Sequence, residues 1–128
     1  MVRILVVEDN RDGAESLRLL LTLLGHDVRV AHSGTDGVRI GREWRPGIVL
    51  CDIGLPEGMD GYAVARALRR EPALAGAHLI ALTGYAQEDD QRCALEAGFD
   101  RHLTKPVDFA ELQAVLASLP VQPSPRTT

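Results

Sequence analysis

The sequence contains no long hydrophobic run and no excess of positive charge, and each shortage excludes a class of protein. The apolar stretch from Val2 to Val7 is too short for a signal peptide or a membrane span, and Glu8 and Asp9 follow it at once. The net charge of -4 and the isoelectric point near 5.5 argue against nucleic-acid binding, which usually requires a basic patch. We therefore expect a cytoplasmic protein that acts neither at a membrane nor on nucleic acid.

Cysteine is also scarce. Cys51 and Cys93 lie in different predicted elements and lack the spacing of a metal site, so in a cytosolic chain we expect free thiols without a chemical role. The length of 128 residues and the 45% hydrophobic content suffice for a core without disulfides or a structural metal. We predict one domain over residues 1–119 and a disordered, proline-rich tail over 120–128.

Short apolar segments alternate with amphipathic segments five times, which predicts alternating strands and helices. The strands are expected at about 2–7, 26–31, 48–51, 78–82 and 100–103, and the helices at about 11–24, 33–44, 60–71, 87–97 and 108–119. Strands joined by helical crossovers pair in parallel, and continuously apolar strands fit a sheet that is covered on both faces. The predicted fold class is therefore α/β, a doubly wound (βα)5 open parallel sheet.

The second helix is the weakest predicted element because it contains Gly34, Gly37 and Gly41. An interior glycine costs roughly 1 kcal/mol relative to alanine. Either this helix packs very close to the sheet or it is locally loose, and the sequence leaves both possibilities open.

Polar side chains stand at the carboxyl ends of four predicted strands. Glu8 and Asp9 follow the first strand, Asp52 ends the third, Thr83 ends the fourth, and Lys105 follows the fifth. Ligands of open α/β sheets bind at these strand ends. We therefore expect the five side chains to meet at one edge of the sheet.

The chemistry of this set points to phosphoryl transfer. Two carboxylates about 4 Å apart repel by roughly 4 kcal/mol, so three of them require a cation or a raised pKa. Oxygen ligands in an open site suit Mg²⁺, and an aspartate can be the nucleophile, with Thr83 and Lys105 neutralising the transferred group. Each residue alone could be an ordinary turn or cap residue, and only their joint occurrence favours the functional interpretation.

With these residues at these strand ends, the sequence resembles the receiver domain of the response regulators of two-component signal transduction. The segments that carry the resemblance are 4–10, 49–56, 59–61, 81–83, 94–98 and 103–106, within a match that covers residues 2 to about 119. The resemblance implies the flavodoxin-like form of the predicted sheet, with strand order 2-1-3-4-5.

The resemblance implies a metal site and an acceptor. Asp52 would be the phosphoacceptor. Asp9 and Asp52 would bind Mg²⁺ directly, Glu8 mainly through water, and the backbone carbonyl of Gly54 would be a further ligand.

The resemblance also implies a switch. Thr83 would bond the phosphoryl group and shift on activation, Lys105 would pair with that group, and the peptide between Lys105 and Pro106 would be cis. Tyr85, together with residue 54, would tune the access of water to the site. His102 would occupy the position that couples to the threonine.

Three positions depart from the usual pattern. Glu8 stands where most receivers have an aspartate, the loop over 56–59 is one residue longer, and His102 replaces the usual Tyr or Phe. A histidine there could respond to pH, although an ordinary, partly exposed side chain is the simpler interpretation. The longer arm of Glu8 is still compatible with Mg²⁺ binding through water.

The implied partners are proteins. A histidine kinase or a histidine phosphotransfer protein would donate the phosphoryl group and dock near the first helix. A downstream protein would bind the surface of the fourth helix, fifth strand and last helix. Because no output domain follows residue 119, we expect a stand-alone receiver or the receiver of a hybrid kinase, not an enzyme beyond its own phosphorylation and autodephosphorylation.

Three other functions of the strand-end residues have to be compared with this one. An aspartyl phosphatase would usually carry a second Asp at position 54, which is Gly54 here. A flavin-binding carrier would need a phosphate loop after the first strand, where Glu8 and Asp9 would repel a phosphate. A degenerate receiver would bind partners without phosphorylation.

Overall fold

The strands and helices follow one another in regular alternation. A computed structural model describes residues 2–55, 58–84 and 88–119, excluding the side chains of residues 88–91. The strands are β1 Arg3–Val7, β2 Asp27–Ala31, β3 Ile48–Asp52, β4 His78–Thr83 and β5 Arg101–Thr104. The helices are α1 Arg11–Leu23, α2 Gly34–Trp44, α3 Gly61–Arg69, α4 Glu88–Ala97 and α5 Phe109–Ser118, with a 3-10 turn at Pro72–Leu74.

The five strands form one parallel sheet in the order β2-β1-β3-β4-β5, which confirms the predicted fold class and strand order. The fourth and fifth strands each extend one residue beyond the prediction, so that Thr83 pairs with Thr104. Asp52 pairs with Leu82 at the same edge. The register therefore brings the ends of three strands together.

Side chains that alternate along the strands build two separate cores. Leu5 and Val7 join the core beneath α2, α3 and α4, whereas Ile4 and Val6 join the core beneath α1 and α5. All four are 0% exposed, as expected for a strand that is covered on both faces. The described residues contain no helix that is both long and apolar enough to cross a membrane.

Side-chain caps fix where four helices begin, and therefore where the loops at the functional edge end. Asn10, Ser33, Asp60 and Asp108 each accept a hydrogen bond from the backbone N–H three residues later. Such a bond satisfies one of the free N–H groups of the first turn. These four helices consequently begin within one residue of their predicted starts.

The predictions for the cysteines agree with the structure, and some others fall outside it. Cys51 is buried in β3 and Cys93 is exposed in α4, and both are free. Burial raises the pKa of the Cys51 thiol, so the thiol stays protonated and unreactive. The predicted disordered tail, Tyr85 and residues 56–57 of the lengthened loop lie outside the described residues.

The glycines of α2 allow it to pack closely against its neighbours. A Cβ atom would lie 2.4 Å from the Met59 carbonyl oxygen at Gly34, 2.8 Å from a methyl group of Val7 at Gly37, and 2.7 Å from Leu68 at Gly41. Of the two possibilities that the sequence left open, close packing is therefore correct. The glycines lower the intrinsic stability of α2 but allow it to contact β1 and α3.

We expect Gly34→Ala to lower the free energy of unfolding by roughly 1–3 kcal/mol, because the new methyl group would collide with a backbone oxygen that cannot rotate away. Gly13→Ala in α1 is the matched control, since the nearest atom to its Cβ would be 3.6 Å away. That control should leave stability unchanged or raise it by up to about 1 kcal/mol. Urea unfolding of both variants measures the difference, and equal effects would contradict the packing argument.

Candidate functional site

Three carboxylates converge at the carboxyl edge of the sheet. One carboxylate oxygen from each of Glu8, Asp9 and Asp52 lies within 4.8 Å of the others. Glu8 is 4% exposed and Asp52 is 8% exposed, whereas Asp9 is exposed. The cluster therefore has two buried members and one that opens to solvent.

Lys105 supplies the positive charge at the centre of this cluster. Its ammonium nitrogen donates hydrogen bonds to Glu8 Oε1 at 2.6 Å and to Asp52 Oδ2 at 2.8 Å. Its backbone N–H donates to the carbonyl of Thr83 at 2.7 Å, and its peptide bond to Pro106 is cis. Lys105 is the only lysine of the sequence. A compact ammonium with three donors suits the space between two carboxylates better than a planar guanidinium.

Asp52 is held at both carboxylate oxygens. Oδ1 accepts a hydrogen bond from the backbone N–H of Gly54 at 2.9 Å, and Oδ2 accepts from Lys105. Burial opposes ionisation of this carboxyl group. The bonds from Lys105, Glu8 and Gly54 nevertheless outweigh burial and keep the pKa of Asp52 below its ordinary value. Asp52 is therefore an ionised carboxylate at neutral pH.

Glu8 is shifted in the opposite direction. Burial raises its pKa to about 7, with the neighbouring Asp52 adding to the effect and the bond from Lys105 opposing it. One ammonium thus does not fully neutralise the carboxylates around it. An all-oxygen donor set with surplus negative charge and one solvent-exposed member is of the kind that Mg²⁺ prefers.

Thr83 contributes a hydroxyl group with unused bonding capacity. The residue is 2% exposed at the end of β4, and its Oγ1 has no hydrogen-bond partner among the residues that the structure describes. A buried hydroxyl without a partner costs roughly 1–3 kcal/mol. The position therefore favours a ligand that can accept a hydrogen bond from this hydroxyl.

The structure brings most of the predicted site residues together. Glu8, Asp9, Asp52 and Lys105 form the cluster itself, and Gly54 contacts it through its N–H group. The predicted role of the Gly54 carbonyl stays a prediction. In contrast, His102 lies within β5 beside Ala81 and not at the strand end.

Sequence reasoning missed one contact of the cluster. His32 directly follows β2, and its Nδ1 lies 3.1 Å from the backbone carbonyl oxygen of Glu8. Applying the strand-end rule to the second strand as well as to the other four would have pointed to this residue.

An open cleft adjoins the cluster. It has a volume of about 560 Å³ and lies between α1 and the segment that follows β5. Its apolar walls include Leu17, Leu20 and Val107, and Glu8 and Lys105 form its polar end. The cleft therefore leads from the exterior to the buried Glu8 and the half-buried Lys105.

We expect Thr83→Val to preserve or raise the free energy of unfolding by about 1 kcal/mol, because valine has nearly the same shape and removes a buried hydroxyl that lacks a partner. Thr22→Val serves as the control, since that exposed hydroxyl already donates to the carbonyl of Arg18. The control should change stability by less than about 0.5 kcal/mol. A loss of more than 1 kcal/mol in Thr83→Val, measured by urea unfolding, would mean that the hydroxyl has a stabilising partner.

Known protein families and relatives agree with this geometry. The family model of the response regulator receiver domain matches residues 4–117. Protein PilH of Pseudomonas aeruginosa is 36% identical over 121 residues, which cover 91% of this chain and 99% of PilH. The transcriptional regulatory protein AfsQ1 of Streptomyces coelicolor is 39% identical over 114 residues, which cover 89% of this chain and 49% of AfsQ1. The chain thus spans nearly all of one relative and about half of another.

Solved structures show the same architecture. The receiver domain of a sensor histidine kinase from Pseudomonas aeruginosa PAO1 has a TM-score of 0.84 at 34% identity, covering 92% of this chain and 96% of that chain. That crystal structure contains a magnesium ion coordinated in its active site cleft. A CheY-like receiver domain protein from Methanospirillum hungatei has a TM-score of 0.82 at 28% identity, covering 90% of each chain.

Proposed function

Because the chain belongs to the response regulator receiver domain family, we propose that it is a signalling switch that accepts a phosphoryl group on Asp52. The observation that carries the proposal is the state of this carboxylate. It is 8% exposed yet ionised, and its two oxygens are oriented by Lys105 and by the N–H of Gly54. A buried, ionised and oriented carboxylate, bonded to a lysine that lines an open cleft, has the properties of a nucleophile.

Mg²⁺ is the cofactor that this donor set supports. The carboxylates of Asp9 and Asp52 and the backbone carbonyl of Gly54 would hold it, and Glu8 would contribute mainly through water, since Lys105 already engages one of its oxygens at 2.6 Å. When bound, the ion supplies positive charge that neutralises the carboxylates and the phosphoryl oxygens together. Replacing the usual aspartate by Glu8 is compatible with this arrangement.

In the proposed reaction, a carboxylate oxygen of Asp52 attacks the phosphorus of a phosphohistidine on the donor protein. The new P–O bond forms as the P–N bond breaks, and its electron pair returns to the imidazole nitrogen of the donor. Burial alone would lower the pKa of Lys105, but its bonds to Asp52 and Glu8 raise that pKa above its ordinary value, so the ammonium keeps its charge. Two of its three N–H donors contact carboxylates, and the third, which has no other partner in the described ranges, would donate to a phosphoryl oxygen.

Thr83 would couple phosphorylation of Asp52 to a change at the protein surface. Its hydroxyl, which has no partner within the described part of the chain, would donate to a phosphoryl oxygen, and its carbonyl already accepts from the N–H of Lys105 at 2.7 Å. Movement of Thr83 would therefore shift the segment after β5 and also α4, which follows β4. This coupling supports an output surface formed by α4, β5 and α5, where a downstream protein would bind.

The cleft beside α1 supports the docking of the donor. Its opening lies between α1 and the segment of Pro106 and Val107, with Glu8 and Lys105 at its inner end. Leu19 and Leu23 are exposed large hydrophobic residues on α1. A histidine kinase or histidine phosphotransfer protein that covers this apolar surface would present its phosphohistidine to Lys105, which is bonded to Asp52.

We expect the protein to gain the mass of one phosphoryl group on incubation with acetyl phosphate and Mg²⁺, because Asp52 is ionised and both of its carboxylate oxygens are oriented by hydrogen bonds. Intact mass spectrometry measures the gain. Removing Mg²⁺ with a chelator should abolish it, since the carboxylates then repel the incoming phosphate. Asp52→Asn should show no gain, because an amide is not a nucleophile here.

Asp27→Asn is the control for loss of a carboxylate, since Asp27 is exposed at the opposite, amino end of the sheet and should leave the mass gain intact. If the wild type gains no mass under any of these conditions, the phosphorylation proposal is wrong. The degenerate receiver that binds partners without phosphorylation would then be favoured.

We further expect a phosphoryl mimic such as fluoroberyllate to shift the amide resonances of α4, β5 and α5, because Thr83 and Lys105 both border these elements. In Thr83→Ala the mimic should still shift the resonances around Asp52, whereas the shifts at the distant surface should shrink severalfold. Amide spectra of the two proteins with and without the mimic make the comparison. Identical spectra of the wild type in both states would rule out this output surface.

A further inference from the structure

We infer that His32 is a positioning residue, which holds the peptide between Glu8 and Asp9 so that both carboxylates stay directed at the metal-binding edge. The inference rests on the proposed function, because it assigns a role in Mg²⁺ binding to a residue outside the carboxylate cluster. It is carried by the contact between the His32 ring and the carbonyl oxygen of Glu8.

The chemistry of this contact defines the state of the imidazole ring. His32 Nδ1 lies 3.1 Å from the backbone oxygen of Glu8, and a carbonyl oxygen can only accept. Nδ1 must therefore carry the proton and donate it to the bond. The acceptor thus assigns the Nδ1–H tautomer to the neutral ring.

The contact completes a set of bonds around the backbone of Glu8. The N–H of Glu8 donates to the carbonyl of Ala31 at 2.9 Å, and the carbonyl of Glu8 accepts from His32. Two consecutive residues at the end of the second strand therefore hold both polar groups of one residue on the first loop. This extends the pairing of β1 with β2, which ends at Val7 and Ala31, by one residue into the site.

Asp9 depends on this backbone contact more than Glu8 does. The Glu8 carboxylate has its own partners, Lys105 at 2.6 Å and the N–H of Asn10 at 3.5 Å. Within the described residues, the exposed Asp9 carboxylate has no hydrogen bond or ion pair that would orient it. Its direction follows from the plane of the peptide that precedes it, and His32 binds the oxygen of that peptide. If that bond is lost, the peptide can rotate and carry the Asp9 carboxylate away from the cluster.

A purely structural role for His32 makes a different prediction from a positioning role. Loss of a single, partly exposed hydrogen bond would lower stability by about 1 kcal/mol and leave ligand binding unchanged. Loss of a group that orients metal ligands typically weakens metal affinity by 10- to 100-fold. Mg²⁺ affinity therefore separates the two roles.

The test compares Mg²⁺ dissociation constants, obtained from amide shifts of the loop at 8–10, for the wild type and three variants. His32→Ala removes the donor and should weaken Mg²⁺ binding roughly tenfold. His32→Asn places an amide N–H where Nδ1 stood, because both atoms are bonded to Cγ, and should restore affinity to within about threefold. His32→Gln places its amide one carbon further out and should resemble the alanine variant.

A second measurement does not depend on the metal. Nitrogen-15 shifts of the imidazole ring in the metal-free wild type should show a proton on Nδ1, and urea unfolding should show that all four proteins are folded. A proton on Nε2 in the neutral ring, or an unchanged Mg²⁺ affinity in His32→Ala, would overturn the inference. Absence of Mg²⁺ binding and of phosphorylation in the wild type would instead overturn the proposed function, and the assigned role of His32 with it.

Discussion

The arrangement of the site depends on one interaction, the ammonium of Lys105 placed between the buried carboxylates of Glu8 and Asp52. Two buried carboxylates repel each other strongly, and burial alone disfavours the ionised form of each. Lys105 offsets this unevenly, because Asp52 also accepts a short bond from the N–H of Gly54 at 2.9 Å, whereas the backbone bond from Asn10 to Glu8 is long, at 3.5 Å. The pKa of Asp52 is consequently lowered and that of Glu8 is raised to about 7. The protein thus holds one ionised carboxylate, the proposed nucleophile, beside a second carboxyl group whose ionisation is disfavoured.

The parallel sheet makes this interaction possible. Parallel strands present their carboxyl ends at the same edge, so residues that follow β1, β3 and β5 meet although up to 97 positions of sequence separate them. Asp52 lies at the end of the central strand, with β1 on one side and β4 on the other. The cap at Asn10 begins α1 directly after Glu8 and Asp9, which keeps the loop after β1 short. The same alternation that builds the two cores therefore also builds the site.

Two neighbouring polar residues, Thr83 and His32, lie on different sides of the carboxylates of Glu8 and Asp52. At the end of β4, Thr83 places a hydroxyl that has no partner among the described residues and would donate to an incoming phosphoryl group. His32 acts on the opposite side, through the backbone of Glu8, and thereby on the direction of Asp9. The proposed nucleophile, metal ligands, hydroxyl and orienting ring thus lie at or just after the ends of four different strands, and Lys105 follows the fifth. A site assembled in this way can transmit a change at Asp52 into several elements at once.

Much of this protein follows from local sequence patterns. Residue type and short spacing are visible in the sequence. They determine the order of the apolar segments, the caps at Asn10 and Ser33, and the polar side chains at the strand ends. Only the tertiary structure decided whether the glycines of α2 indicate close packing, because that depends on the distance to Val7 and other residues of distant segments. It alone also decided how one ammonium divides its bonds between two carboxylates, and that a histidine after β2 holds the loop after β1. These are contacts between segments far apart in the chain, and their distances and burial exist only once the sheet has formed.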